Sequence, residues 1–276
     1  DLERGAVFEF EDGQVRARDK TAIVTGSTGG IGLAIAKGLA AAGATVIVVG
    51  RARERVDAAL AALRPTKAGA RARGVVADLA TVAGCQALIQ AEPEADILVN
   101  NLGIYGVRDF FAIEDAEWEE IYRVNVLSGA RLARHYAQGM RTRGWGRIQF
   151  ISSESAQNIP VEMVHYGVSK AALQGLSRGL AKVLAGTGVT VNAILPGPTR
   201  TEGTTAMLAG LATARGVSVD EMEAIFLAEN RPSTLLRRFA TPEEVASLCV
   251  YAASPQASAT TGAALRVEGG IVESIV

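Results

Sequence analysis

The sequence predicts an α/β fold: one doubly wound domain of about seven parallel strands, with helices on both faces of the sheet. Three observations carry that prediction. Short apolar runs rich in Val and Ile alternate with longer amphipathic stretches, the pattern of βαβ units. The apolar runs are nearly continuous rather than alternating in polarity, as expected for strands covered on both faces. No Pro/Ser-rich linker and no internal repeat divides the 276 residues, a length that suits one large α/β domain.

The first strand is read at TAIVTG (21–26), followed by a glycine-rich turn and a helix over 31–43 that ends on glycine. TVIVVG (45–50) is the second strand and RERVDAALAAL (53–63) the second helix. Further strands are read at RGVVAD (73–78), ADILVNN (95–101), GRIQFISS (146–153), GVTVNAILPG (188–197) and ALRVEGG (264–270). Helices are read at about 80–91, 115–141 and 165–185. TPEEVASLCVYAAS (241–254) is a helix opened by Thr241 as N-cap, with Pro242 at its first position. Two segments break the alternation: an N-terminal extension over 1–19, and an insertion at about 201–238 within the domain spanning 20–276. Ligands in open α/β sheets sit beyond the carboxyl ends of the strands, so the insertion is placed to act as a substrate lid.

Composition narrows the function classes. A formal net charge of −1 and 5% aromatics leave no basic surface for nucleic acid, no polybasic membrane patch and few rings for stacking bases. No run of about 18 apolar residues is present to cross a membrane. The N-terminal DLERGAVFEFEDGQVRARDK is charged and lacks a signal-peptide core, and its start at Asp1 points to processing or truncation. Cys85 and Cys249 fit no metal spacing and are expected as small buried hydrophobes in helices. With His135 and His165 the only histidines, no zinc site is expected. These features together point to a reducing, cytoplasmic location.

The turn TGSTGGIG, Thr25 to Gly32, lies between the first strand and the first helix. Gly26 permits a tight turn, Gly30 lets the backbone approach a pyrophosphate at the helix N-terminus, and Gly32 allows close packing of helix on strand. The spacing T-G-x-x-x-G-x-G, in this setting, resembles the short-chain dehydrogenase/reductase family over roughly residues 20–270. The resemblance implies a Rossmann-type fold and a nicotinamide dinucleotide met by Gly26, Ser27, Thr28, Gly30, Ile31 and Gly32. At the end of the second strand, where a NAD enzyme places a carboxylate for the ribose 2′-OH, the chain reads VVGRARER. Gly50 replaces the acid and Arg51 follows, so a 2′-phosphate is favoured and NADP is expected over NAD. Arg53 and Arg55 lie close by, and Arg55 is read as solvating the start of its helix. Asp78, with Leu79 beside it, resembles the family's adenine contact, or alternatively caps the next helix. NNLG resembles the family's N-N-A-G and assigns Asn100 and Gly103 to the cofactor site, with Leu102 in place of alanine.

HYGVSKAAL places Tyr166 and Lys170 one helical turn apart on one face. A phenol beside an ammonium is a tunable proton donor: the positive charge is expected to lower the Tyr166 pKa from its usual value near 10. Tyr166 is then general acid in carbonyl reduction and base in alcohol oxidation, and Lys170 also reaches the nicotinamide ribose. Ser153, 13 residues before Tyr166, matches the family's serine and would hydrogen-bond the substrate oxygen; Ser152 points to the other side of the strand. Asn125, within a long helix, matches the family's asparagine and is expected to hold a water that relays protons to Lys170. PGPTRT (196–201) resembles the segment that closes over the nicotinamide carboxamide, through Pro196, Gly197, Thr199 and Thr201.

The expected activity is hydride transfer between NADP(H) and a ketone or secondary alcohol, as in a carbonyl or 3-oxoacyl reductase. Met207, Leu208, Leu211, Met222, Ile225, Phe226 and Leu227 suit either helix packing or an apolar lid over the substrate. Glu154, Asn158 and Glu162 are candidate polar contacts, Ile104 and Tyr105 a candidate opposite wall, and His165 is expected to pack beside the site. The resemblance leaves 3-oxoacyl thioesters, steroids, polyols and cyclic ketones open, and implies a homotetramer or homodimer. A dinucleotide-sensing protein without turnover is the alternative, disfavoured by the intact Asn125, Ser153, Tyr166 and Lys170 set. A sugar-nucleotide epimerase or dehydratase is disfavoured by the glycine spacing and by the short tail after 241.

Overall fold

A computed structural model describes Ala17 and residues 19–64 and 71–275. The expected extension over 1–19 falls outside these except for Ala17 and Asp19. Seven strands form one sheet in the order β3-β2-β1-β4-β5-β6-β7, and every pairing is parallel. They are β1 (Thr21–Val24), β2 (Thr45–Gly50), β3 (Ala72–Val76), β4 (Ile97–Asn100), β5 (Gly146–Ile151), β6 (Val189–Pro196) and β7 (Ala264–Val267). The connecting helices are α1 (Gly30–Ala41), α2 (Arg53–Leu63), α3 (Val82–Ala91), α4 (Asp115–Tyr122), α5 (Ser128–Arg143), α6 (Val164–Val183), α7 (Glu202–Arg215), α8 (Val219–Asn230) and α9 (Pro242–Ala253).

Successive strand residues feed opposite cores, as the pleat requires. Val24, Val46, Val48 and Val99 pack with Ile35 and Leu39 of α1, Val56 of α2 and Cys249 of α9. Ile23, Ile47, Val49 and Leu98 pack on the other face with Cys85 and Leu88 of α3, Leu132 and Met140 of α5, and Leu173 of α6. Both cysteines are free, buried and helical. Among the described residues no helix is long and apolar enough to cross a membrane.

Two features refine the sequence reading. The helix expected at 115–141 is interrupted by a π turn over Arg123–Leu127. The 201–238 insertion contains α7 and α8, which bury Leu208, Ala212, Met222 and Leu227 with Phe239 in a small core of their own. Most of the apolar insertion residues therefore serve packing between these helices, while Met207 and Leu211 stay exposed.

Asp78 is not the helix cap: Thr81 caps α3, accepting Gly84 N–H at 2.9 Å. That cap turns the Asp78 carbonyl against the Cα of Gly84, so tightly that a Cβ there would overlap it. Gly84→Ala is expected to destabilise the fold by about 1–3 kcal/mol, read as a lowered midpoint in urea with little change in slope.

Candidate active site

The sheet changes winding direction between β1 and β4, and a crevice opens at their carboxyl ends. The glycine turn sits there. Gly26 and Gly30 adopt φ of +61° and +51°, backbone that side-chain-bearing residues rarely enter. A Cβ on Gly32 would stand 2.5 Å from both Asn101 Nδ2 and Gly26 O. The turn is braced from β4: Asn101 donates its side-chain amide to Thr25 O at 3.0 Å and Gly26 O at 3.2 Å. Thr25 Oγ1 in turn accepts the N–H groups of Asn101 and Leu102, both at 2.9 Å. α1 begins without a side-chain cap and without an acidic residue in its first turn. Its first amides, including those of Gly30, Ile31 and Gly32, therefore lack intrahelical acceptors and carry the positive end of the helix dipole.

A cavity of about 560 Å³ runs from this turn, lined among others by Gly26, Thr28, Gly50, Arg51, Asp78, Leu79 and Gly103. Arg51 is exposed and makes no ion pair or hydrogen bond among the described residues. By contrast, Arg53 lies 4.0 Å from Asp57, and Arg55 reaches Glu202 at 3.4 Å. A Cβ on Gly50 would collide with the Thr28 methyl, so an acidic side chain does not fit at that position without movement. Asp78 is exposed, its Oδ1 accepting Ala80 N–H at 3.1 Å.

Two expected cofactor residues spend their side chains differently. Ser27 is fully buried: its hydroxyl donates to Val24 O at 2.6 Å and accepts Val49 N–H at 3.0 Å, and its own N–H donates to Val49 O at 3.2 Å, stitching β1 to β2. Asn100 is buried against Gly129, with neither side-chain polar atom hydrogen-bonded among the described residues. The neighbouring Asn101, which sequence reasoning passed over, does the bracing. Pro196 ends β6, and Thr199 Oγ1 donates to Gly197 O at 2.9 Å. Thr201 caps α7 with its hydroxyl and sets its methyl 3.3 Å from where a Gly30 Cβ would stand, so this segment folds over the glycine turn.

Tyr166 and Lys170 project from α6 toward β4 and β5. Lys170 is buried, and Nζ donates to Ile151 O at 2.8 Å while lying 5.6 Å from the Tyr166 ring centre. A Cβ on Gly103 would stand 3.2 Å from that Nζ, hence the glycine there. Ser152 donates to Lys170 O at 2.8 Å. Tyr105 packs edge-on against the Tyr166 ring, their centres 6.2 Å apart. His165 is buried edge-on against Trp118, so it packs beside the site.

Two expected groups are placed in detail here. Asn125 Oδ1 accepts Ile104 N–H at 2.7 Å, and its Nδ2 donates to Ile104 O and Ser169 Oγ, both at 2.9 Å. The side-chain amide thus braces the π turn, the β4 exit and α6, both its N–H protons being used and its oxygen accepting one bond. The second concerns the phenol. Burial is the largest influence on Tyr166 and pushes its pKa up, with Ser153 pulling the other way, because a phenolate loses more hydration there than its neighbours return. The Lys170 ammonium is itself weakened, to a pKa of about 8, by burial.

A model of the short chain dehydrogenase family matches residues 20–211. The chain belongs to that family. It is 45% identical over 262 residues to the uncharacterized oxidoreductase YvaG of Bacillus subtilis (strain 168), covering 95% of this chain and 99% of that one. It is 35% identical over 262 residues to the 3-oxoacyl-[acyl-carrier-protein] reductase FabG of Aquifex aeolicus (strain VF5), covering 94% and 99%. Among solved structures, L-sorbose reductase from Gluconobacter frateurii, complexed with NADPH and L-sorbose, superposes with a TM-score of 0.88 at 33% identity, covering 94% and 99%. The seven-stranded parallel sheet is that of a short-chain oxidoreductase.

The depressed Lys170 pKa has a stability consequence. The folded protein disfavours the charged lysine, so the group costs stability below pH about 8 and the cost fades as pH rises towards the unfolded value. Lys170→Met is expected to stabilise the fold at pH 7 by about 1–2 kcal/mol, with the gain shrinking above pH 9, in denaturant titrations.

Proposed function

We propose that this short-chain oxidoreductase transfers a hydride between NADP(H) and a ketone or the corresponding secondary alcohol, as a carbonyl or 3-oxoacyl reductase. The observation that carries the reading is the convergence of Ser153, Tyr166 and Lys170 beside a glycine turn whose helix N-terminus is uncapped. The residues fit a dinucleotide phosphate: open first-turn amides, a Gly30 that admits close approach, and an adjoining cavity. They also favour a 2′-phosphate. Arg51 at the cavity wall makes no ion pair with any described residue, and the Thr28 methyl crowds position 50, where a 2′-OH would want a carboxylate. L-sorbose reductase, bound to NADPH in its crystal structure, supports the same choice.

When bound, the dinucleotide supplies the hydride to the carbonyl carbon. Tyr166 gives its phenolic proton to the carbonyl oxygen as negative charge develops there, and Ser153 hydrogen-bonds that oxygen. Lys170, anchored on Ile151 O, places its charge beside the phenolate left behind. Asn125 holds the main chain at Ile104 against α6, which keeps Gly103 pressed on Lys170. Alcohol oxidation runs the same proton path in reverse.

The test is NADPH oxidation across a panel of 3-oxo esters, cyclic ketones and ketoses. Tyr166→Phe is expected to lower kcat about 10²–10⁴-fold with cofactor affinity retained; an undiminished rate would refute the mechanism. Arg51→Ala is expected to raise the NADPH KM about tenfold or more while leaving that for NADH within about twofold. Equal effects on both cofactors would overturn the NADP assignment.

A further inference from the structure

Glu154 directly follows the serine of the site and is 2% exposed. Its two oxygens serve different parts of the molecule. Oε2 accepts the hydroxyl of Ser153 at 2.7 Å and that of Ser155. Oε1 accepts Arg231 Nε–H at 2.7 Å across 77 positions of chain. Arg231, 8% exposed, stands at the C-terminal end of α8, where its own N–H donates to Leu227 O at 2.8 Å. A buried ion pair thus joins the catalytic serine to the α7–α8 insertion. Neither member has a role in the proton path above.

We propose that Glu154 is a positioning residue that couples Ser153 to the lid: one carboxylate holds both the serine hydroxyl and the Arg231 guanidinium, so the serine is presented for catalysis only while the end of α8 is docked. This rests on Ser153 and Tyr166 being the reacting groups. Ser153 has a single proton, and in the structure it goes to Glu154. To bond a substrate oxygen the serine must redirect that proton, and the hold of the carboxylate decides how readily it does so. The guanidinium on Oε1 opposes the carboxylate's negative charge and weakens that hold.

The same pair acts on the phenol through space. Tyr166 is faced by Ser153 and Glu154 from the segment after β5, Tyr105 from the loop after β4, Arg231 from the end of α8, and Lys170 from its own helix. Glu154 makes the phenol a weaker acid and Arg231 a stronger one. With the clasp made, the two fields largely offset each other; with Arg231 withdrawn, the carboxylate acts alone.

The experiment uses the full-length protein and three variants: Arg231→Gln, Glu154→Gln and the double variant, which leaves no unpaired buried charge. Hydrogen–deuterium exchange needs no substrate. Amides of 202–230 are expected to exchange about tenfold faster in either single variant, with the strands of the sheet unchanged. The second readout is the pH profile of NADP⁺-dependent oxidation of ethyl 3-hydroxybutyrate, or of whichever alcohol partner from the panel the wild type turns over. Its limb is expected to move up by about 0.5 unit or more in Arg231→Gln, down in Glu154→Gln, and back to within about 0.3 unit in the double variant. Should a single variant not fold, Arg231→Lys replaces it, with faster lid exchange and an unmoved limb expected. Unchanged exchange over 202–230, limb shifts of the same sign, or an Arg231→Gln effect confined to KM would overturn the proposal. A wild type inactive on every compound would refute the proposed function, while the exchange data would still decide the clasp.

Discussion

The site depends on how the chain is held where β1 and β4 part. Crossovers that run in opposite directions leave a gap at the strands' carboxyl ends, where the ladder bonds between β1 and β4 end with Thr25 N–H donating to Val99 O at 3.0 Å. Thr25 and Asn101 replace them with side-chain bonds: the hydroxyl takes two amides from the β4 exit, and the carboxamide bonds the carbonyls of Thr25 and Gly26. Because the glycine turn is fixed to β4, the first amides of α1 and the Gly103 backbone keep a set relation. Gly103 in turn limits where Lys170 can lie, and Lys170 shares its helix with Tyr166. The glycine turn and the helix that carries Tyr166 and Lys170 are thus parts of one braced unit.

That unit is held at a cost. Lys170 is buried and, among the described residues, pairs with no carboxylate; its Nζ donates to the Ile151 carbonyl. Tyr166 is pushed towards its neutral form, the form the proposed proton transfer in reduction requires. The π turn at 123–127 is a similar concession: it interrupts a helix that would otherwise run on, and it turns Asn125 inward to bond Ile104 and Ser169. These departures from the most stable local arrangement fall at the site, while the sheet beneath buries Val and Ile on both faces.

The seven strands were legible because each is a short β-branched run between turn residues, a local signal that needs no partner to be read. The ends were less so. Gly26, Asp78 and Glu268 follow the apolar runs in sequence but lie beyond the strand ends, where the chain turns away. α9 was read to its first residue because Thr241 and Pro242 act locally; the structure adds Glu244 as the other half of a capping box. Tyr166, Lys170 and Ser153 were legible from spacing. What Asn125 bonds to was not, since its partner Ile104 lies 21 positions away and offers only backbone. The choice of Asn101 over Asn100 as the brace depends on which side of β4 each faces at the strand's last residue, a question of register rather than residue type.

The α7–α8 insertion shows how such a segment is fastened. Its apolar residues face each other and Phe239, so the hydrophobic contribution goes to holding the two helices as a pair. Its links to the rest of the molecule include charged contacts, and these are unequal. Arg55–Glu202 is exposed at 3.4 Å and is screened by solvent, so it adds little. Arg231–Glu154 is buried, with geometry at 2.7 Å and further bonds from Ser153 and Ser155 to the carboxylate. Separating that pair would leave a carboxylate in low dielectric beside the phenol, which makes the docked position strongly preferred without any large apolar interface. The segment is internally packed by hydrophobic contacts and fastened through two buried carboxylates, Glu154 bonded by Arg231 and Glu223 bonded by Arg200. The first of these pairs also touches the serine.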